Sequence, residues 1–119
     1  MKWYRLAAEQ GNAEYQFKLG LMYGAGQGVP QDYDKAVKWF RLAAEQGKVE
    51  AQVGLGLMYE SGTSVPQDYA EAHMWYNLAA ARGSELGRKN RDIVAKKMTP
   101  TQIAEAQRLA REWLEKHGE

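Results

Sequence analysis

Trp39-Phe-Arg-Leu-Ala-Ala-Glu-Gln-Gly47 decides the fold of this chain, because it is written more than once. Thirty-six residues earlier stands Trp3-Tyr-Arg-Leu-Ala-Ala-Glu-Gln-Gly11, and thirty-six later a weaker copy, Trp75-Tyr-Asn-Leu-Ala-Ala-Ala-Arg-Gly83. At that offset residues 3–47 fall on residues 39–83 with 27 identities in 45 pairs. Leu19-Gly-Leu-Met-Tyr23 returns as Leu55-Gly-Leu-Met-Tyr59, and Val29-Pro-Gln-Asp-Tyr33 as Val65-Pro-Gln-Asp-Tyr69. A fixed period of this length marks a small unit that buries its apolar face only by stacking on the next copy.

Each unit reads as two helices. Gln16, Leu19, Gly20 and Tyr23 share one face at helical spacing, which predicts a first helix over roughly 13–24 and again over 49–60. The loop Gly26-Gln-Gly-Val-Pro30 must break it, since glycine permits positive φ and Pro30 disfavours helix before itself. Asp32 and Asp68 are placed to cap the second helix by accepting a backbone N–H, and Asp68 with Glu71 forms a capping-box-like pair. Tyr33, Ala36, Phe40 and Ala43 then make one stripe, flanked by Trp39 and Leu42. Gly47 and Gly83 fit the left-handed position that ends such a helix.

Composition agrees. The 119 residues include 17 Ala against 8 Val plus Ile, a balance that favours helix over strand. With 45% hydrophobic residues there is enough apolar material for a core. Sixteen basic and 15 acidic residues give a net charge of +1, which gives no support for a strongly basic nucleic-acid binder or a polyanionic tail. The absence of cysteine removes disulfide scaffolds, thiol catalysis and Cys-based zinc sites. No stretch approaches the ~20 apolar residues of a membrane span, so no membrane insertion is expected. Met1-Lys2-Trp3-Tyr4-Arg5 offers no apolar leader region.

After Gly83 the repeat fades. Residues 85–98 still read as a helix, with Leu86, Ile93, Val94 and Met98 apolar. Thr99-Pro-Thr-Gln102 is a helix start with a Thr cap, Pro at the first position and Gln at the third. Ile103, Ala106, Ala110, Trp113 and Leu114 follow as one stripe, suited to a C-terminal capping helix that covers the last open face. The overall +1 is uneven: −1 over residues 1–83, +3 over 84–98 and −1 over 99–119.

The Leu-Gly-x-x-Tyr element, the Gly-x-Gly-Val-Pro-Gln-Asp-Tyr loop and the Trp-Tyr/Phe-x-x-Ala-Ala-Glu-Gln-Gly ending closely resemble the Sel-one-like repeats (SLR). These are relatives of tetratricopeptide repeats with a longer loop between the two helices. The resemblance covers residues 3–83, and the Met98-Thr-Pro…Trp113 ending is similar to a common bacterial terminus of the family. It implies an all-α, right-handed α/α superhelix acting as a non-catalytic adaptor or scaffold for another protein, with no cofactor and no metal. The expected divisions are 1–11, the second helix of an incomplete repeat; repeats at 12–47 and 48–83; a degenerate repeat helix at 84–98; and a capping helix at 99–119. Trp3, Leu6 and Ala7 are therefore expected to lack one packing layer. Either the chain is a fragment of a longer solenoid, the favoured reading, or that face self-associates with another chain. As read the chain suits the cytoplasm; a fragment lacking its leader would suit the periplasm or secretion.

Motifs that could carry chemistry are weak. Gly24-Ala-Gly26-Gln-Gly28 spaces glycines as a phosphate loop does, but it follows a helix, no Gly-Lys-Ser/Thr follows, and Glu60-Ser-Gly62-Thr-Ser64 keeps one of its three glycines. His73 and His117 have no ligand at helical metal spacing, and His73, standing where Val37 stands, reads as a core-edge or surface residue. Ser61, Ser64 and Ser84 lie in no nucleophile motif. Some cysteine-rich relatives are linked to penicillin binding and β-lactam hydrolysis, which makes a β-lactam-binding or hydrolysing enzyme the alternative that the resemblance implies. The run Arg88-Lys-Asn-Arg91…Lys96-Lys97 is a second alternative, a phosphate or nucleic-acid contact, though it carries no aromatic residue for base stacking.

The positions where the two copies differ are the freer ones, and on the first helices they include Tyr15/Ala51, Phe17/Val53, Lys18/Gly54 and Gly24/Glu60. In a tetratricopeptide-like solenoid the first helices line the concave groove. Glu14, Phe17, Leu21 and Gly24 oppose the Leu19/Tyr23 packing face and are expected there, followed by Glu50, Val53, Leu57 and Glu60, then Lys89, Ile93 and Lys96. Apolar anchors rimmed by charge suit a peptide or helix of a partner protein. Leu21 and Leu57, identical in both copies, can equally be packed between repeats. A Phe17→Glu, Val53→Glu double variant is expected to keep the fold and lose the partner.

Overall fold

A computed structural model of the chain describes residues 2–117; the outer limits expected for the first and last units, at 1 and 119, lie outside the described residues. It contains α1 (Lys2–Glu9), α2 (Ala13–Ala25), α3 (Tyr33–Glu45), α4 (Val49–Ser61), α5 (Tyr69–Ala81), α6 (Glu85–Ala95) and α7 (Pro100–Lys116), with no strand among the described residues. Each helix from α1 to α5 packs on the next in chain order, giving an elongated body of 45 × 29 × 22 Å. This is an all-α repeat solenoid.

The local chemistry explains the boundaries. Asn12, Asp32, Asp68 and Ser84 each accept the backbone N–H three residues on, holding the starts of α2, α3, α5 and α6. Thr99 and Gln102 form the full capping box at α7, behind Pro100. Gly26 and Gly62, both left-handed, close α2 and α4 by donating to Met22 O and Met58 O. The glycine-rich loop is thus a helix terminator. Gln31 and Gln67 fasten it, each donating to a carbonyl seven residues back, at Gly24 and Glu60.

Glycine serves a second purpose inside the helices. A Cβ at Gly20 would lie 2.7 Å from the Phe40 ring, and one at Gly56 would lie 2.5 Å from the Tyr76 ring. Each first helix therefore seats an aromatic of its second helix on bare backbone. Beside these contacts Leu19 and Leu55 are wholly buried. Gln16 and Gln52 are buried as well, and each donates to a carbonyl at the end of the preceding second helix, Ala8 O at 3.0 Å and Ala44 O at 3.1 Å. Arg5 and Arg41 reach forward to the hydroxyls of Tyr23 and Tyr59, both at 2.7 Å.

The last layer departs from expectation. α6 ends at Ala95 rather than 98, and α7 does not pair with it as α3 pairs with α2; α7 returns to α5, where Trp113 meets Trp75 edge-on at 5.9 Å. On α6 Leu86 is 55% and Ile93 51% exposed. The reason for the departure lies at the repeat positions that seat a second helix. Gly20 and Gly56 become Asp92, and Leu19 and Leu55 become Arg91. α6 keeps the surface that meets α5, through buried Gly87, and a smaller contact with α4, where Val94 shares a cluster with Val53. At the other end Trp3 and Leu6 are exposed and Ala7 is half-buried.

Candidate functional site

The site residues expected from the sequence lie on α2, α4 and α6, but their exposures differ from expectation. Leu21, Leu57 and Ile93, one per repeat at equivalent positions, are 48%, 49% and 51% exposed. The two leucines are thus not packed between repeats, although both copies keep them. Phe17 is half-buried with its ring 5.8 Å from that of Phe40. Val53 is buried at 5% exposure, packed in a cluster with Ala72, Tyr76, Ala79 and Val94. The expectation that Val53→Glu would spare the fold is therefore corrected, because the charge would enter the core.

The charged candidates divide. Glu14 is exposed, ion-paired with Lys48 and, at 3.8 Å, with Lys18; the Lys48 hydrogen bond holds its carboxyl below the usual range and raises Lys48 in turn. Lys48 also reaches Glu50 at 3.5 Å and sits 5.7 Å from the Phe17 ring centroid. Lys48 starts α4 but contributes no side-chain cap, since an ammonium cannot accept a backbone N–H; it donates instead across the seam between α2 and α4. Glu60 is half-buried, accepting from the Tyr76 hydroxyl at 2.7 Å and from Lys97 at 3.1 Å. Burial, with Glu60 beside it, pushes the Tyr76 phenol up. Glu60 is a latch between α4, α5 and the end of α6 more than a free rim charge.

The basic run is largely engaged. Arg88 pairs with Glu85 at 2.9 Å, Arg91 with Asp92 at 3.2 Å while donating to the Asn77 side-chain Oδ1 at 3.0 Å, and Lys97 with Glu60. Among the described residues the ammonium groups of Lys89 and Lys96 make no ion pair or hydrogen bond. Both flank Ile93, with Lys96 at the cap of α6.

Between α4 and α6 lies a cavity of about 570 Å³, floored by Val53 and walled by Lys48, Val49, Glu50, Arg82, Ser84 and Leu86. Sequence reasoning placed Glu50 and Val53 here but missed Arg82, Ser84 and Leu86. The signal was available in the repeat: position 48 is Lys and position 84 is Ser, position 17 is Phe and position 53 is Val.

His73 is deeper than the core edge, 6% exposed, with Nδ1 unpartnered; burial, then the Arg91 charge, lowers its pKa. Glu71 shifts up through burial and neighbouring Asp68. Among the described residues no group of His, Cys, Asp and Glu could hold a metal ion, and no helix is long and apolar enough to cross a membrane.

The model of the Sel1 repeat matches residues 1–12, 13–48 and 49–84. The chain belongs to the Sel1 repeat family. Sel1 repeats are generally protein–protein interaction scaffolds. The fold is similar to the crystal structure of c5321, a protective antigen present in uropathogenic Escherichia coli strains that displays an SLR fold. That likeness has a TM-score of 0.93 and 39% identity over 98% of this chain and 25% of that one. A Sel1 repeat protein from Oxalobacter formigenes is similar with a TM-score of 0.75 and 39% identity, over 77% of this chain and 38% of its own. This Sel1-repeat chain thus spans a quarter to somewhat over a third of the length of those chains. No curated protein matches it.

Proposed function

We propose that this Sel1-repeat chain is a non-catalytic scaffold that binds a segment of a partner protein along the face of α2, α4 and α6. The observation that carries the reading is the ladder of Leu21, Leu57 and Ile93. Three large aliphatic side chains at the same repeat position each leave about half of their surface in water. A stack that buries Leu19 and Leu55 completely has the means to bury these too. An apolar ladder rimmed by Glu14, Glu50, Lys89 and Lys96 suits an extended or helical segment whose apolar residues recur along its length. Nothing in this reading calls for a cofactor or a reaction.

The test is the triple variant Leu21→Glu, Leu57→Glu, Ile93→Glu, compared with wild type by affinity capture and mass spectrometry. All three positions are exposed, so helicity and thermal midpoint are expected to hold while partner recovery falls at least ten-fold. Recovery of the same partners at wild-type level would show the ladder to be idle surface.

A further inference from the structure

The two seams between first helices are built from the same positions with different residues. Between α2 and α4 the positions are filled: Phe17 lies on Phe40, and Lys48 sits over the Phe17 ring while pairing with Glu14. Between α4 and α6 the corresponding residues are Val53, Ser84 and Glu50, and a cavity of about 570 Å³ stands there instead. A phenyl ring and a lysine side chain have been replaced by an isopropyl group and a hydroxymethyl group. The molecule thus holds its own template for what fills such a seam.

We propose that the cavity between α4 and α6 takes an aromatic side chain of an acidic partner segment, seated on Val53 as the Phe17 ring is seated on Phe40. Tyr76 holds in the second seam the position of Phe40, but it is wholly buried in the Val53 cluster and does not line the cavity, so the incoming ring rests on Val53 itself. Val49 and half-exposed Leu86 supply the walls, and the volume lies within the range of clefts that enclose sizeable ligand groups. The charge of the partner follows from Lys89 and Lys96. With Leu86 and Ile93 they continue one face of α6, and their ammonium groups are unpaired among the described residues. Carboxylates following the aromatic residue would meet them at little desolvation cost, favouring encounter and register. An oligonucleotide could use the same cations, but it would have no need of the cavity.

This inference rests on the scaffold reading and names the chemistry of its partner, so the experiment separates the two. The probe is a fluorescein-labelled peptide with one phenylalanine followed by four glutamates, titrated by fluorescence anisotropy. Saturable binding is expected, weakened at least ten-fold when alanine replaces the phenylalanine. Val53→Phe with Ser84→Lys, which copies the filled seam, is expected to abolish it while keeping or raising the thermal midpoint. Leu86→Glu, an exposed change, must weaken binding as well, which covers the case in which the filled variant does not fold. Arg111→Gln on α7, exposed and outside both the cavity and the ladder, is expected to leave peptide binding unchanged. The inference is overturned if wild type shows no saturation up to millimolar protein. It is equally overturned if the filled variant or the alanine peptide binds as well as its parent, or if a single-stranded RNA oligonucleotide binds as tightly and survives filling. In any of those cases partner loss in the Leu21, Leu57, Ile93 variant would still uphold the scaffold reading. Peptide binding without such loss would instead remove the ladder and keep the cavity.

Discussion

The seam between α2 and α4 and the seam between α4 and α6 share a backbone plan and differ in what closes them. In the first, Phe17, Lys48 and Glu14 make a stacked and ion-paired plug. In the second, Val53 has withdrawn into the core, Ser84 turns inward to cap α6, and a cavity remains. The comparison teaches that the stack does not need its inner rim. The contacts that hold it lie deeper, in Leu19 and Leu55, in the glycine-seated rings of Phe40 and Tyr76, and in the two buried glutamines. The rim is therefore free to vary, and variation there is where recognition can be written.

The sharpest way to break this comparison is to place a charge at the same position in each seam. Val53→Glu is expected to cost about 3 kcal/mol or more, because the carboxylate enters a buried cluster without a partner. Phe17→Glu, at a half-buried site beside Lys48, is expected to cost about 1–2 kcal/mol. Urea unfolding of the two variants measures the gap; equal losses would mean that the seams are equally closed.

The deep contacts should, in contrast, behave alike. Gly20→Ala and Gly56→Ala each drive a methyl group into an aromatic ring and are expected to cost about 1–3 kcal/mol apiece. A loss at one and not at the other would show that the second unit is held differently from the first. Smaller is the effect of His73, which occupies the place of Val37. The folded state keeps the buried imidazole neutral below its ordinary pKa of 6.5, while the unfolded chain takes up the proton there. Stability therefore falls as pH drops below 6.5. Between about pH 7.5 and about 5.5 wild type should lose more stability than His73→Val, read from urea midpoints. Equal losses would assign the acid sensitivity elsewhere. Smallest is Lys48→Met: the Glu14 pair is solvated, and its removal should leave the thermal midpoint in place.

Much of the fold was legible because the repeat states its own grammar. Identity between copies marked Leu19, Gly20, Tyr23 and Gln16 as required by the stack, and each has a defined partner there. The caps at Asp32, Asp68 and Thr99 could be read from residue type and spacing. The site was less legible, and Leu21 with Val53 shows why. Identity left groove exposure and burial equally open for Leu21 and divergence suggested freedom for Val53, whereas Leu21 is half in water and Val53 is in the core. Conservation between copies reports on any shared demand, and an exposed anchor repeated in each unit looks the same as a packed one. The path of α7 was hidden for a different reason. Its apolar stripe says that it packs, whereas the choice of α5 over α6 is made on α6, by Arg91 and Asp92.

The even spacing of Leu21, Leu57 and Ile93 has one further consequence. A row of chemically similar rungs cannot tell a periodic ligand where to begin, and a shift by one repeat leaves two of the three contacts in place. Such slippage multiplies the bound arrangements and favours affinity over a single alignment. A feature that occurs once along the row, such as the cavity beside Ser84, breaks that degeneracy. In a stack of near-copies, the place where the copies disagree sets the zero of the ruler.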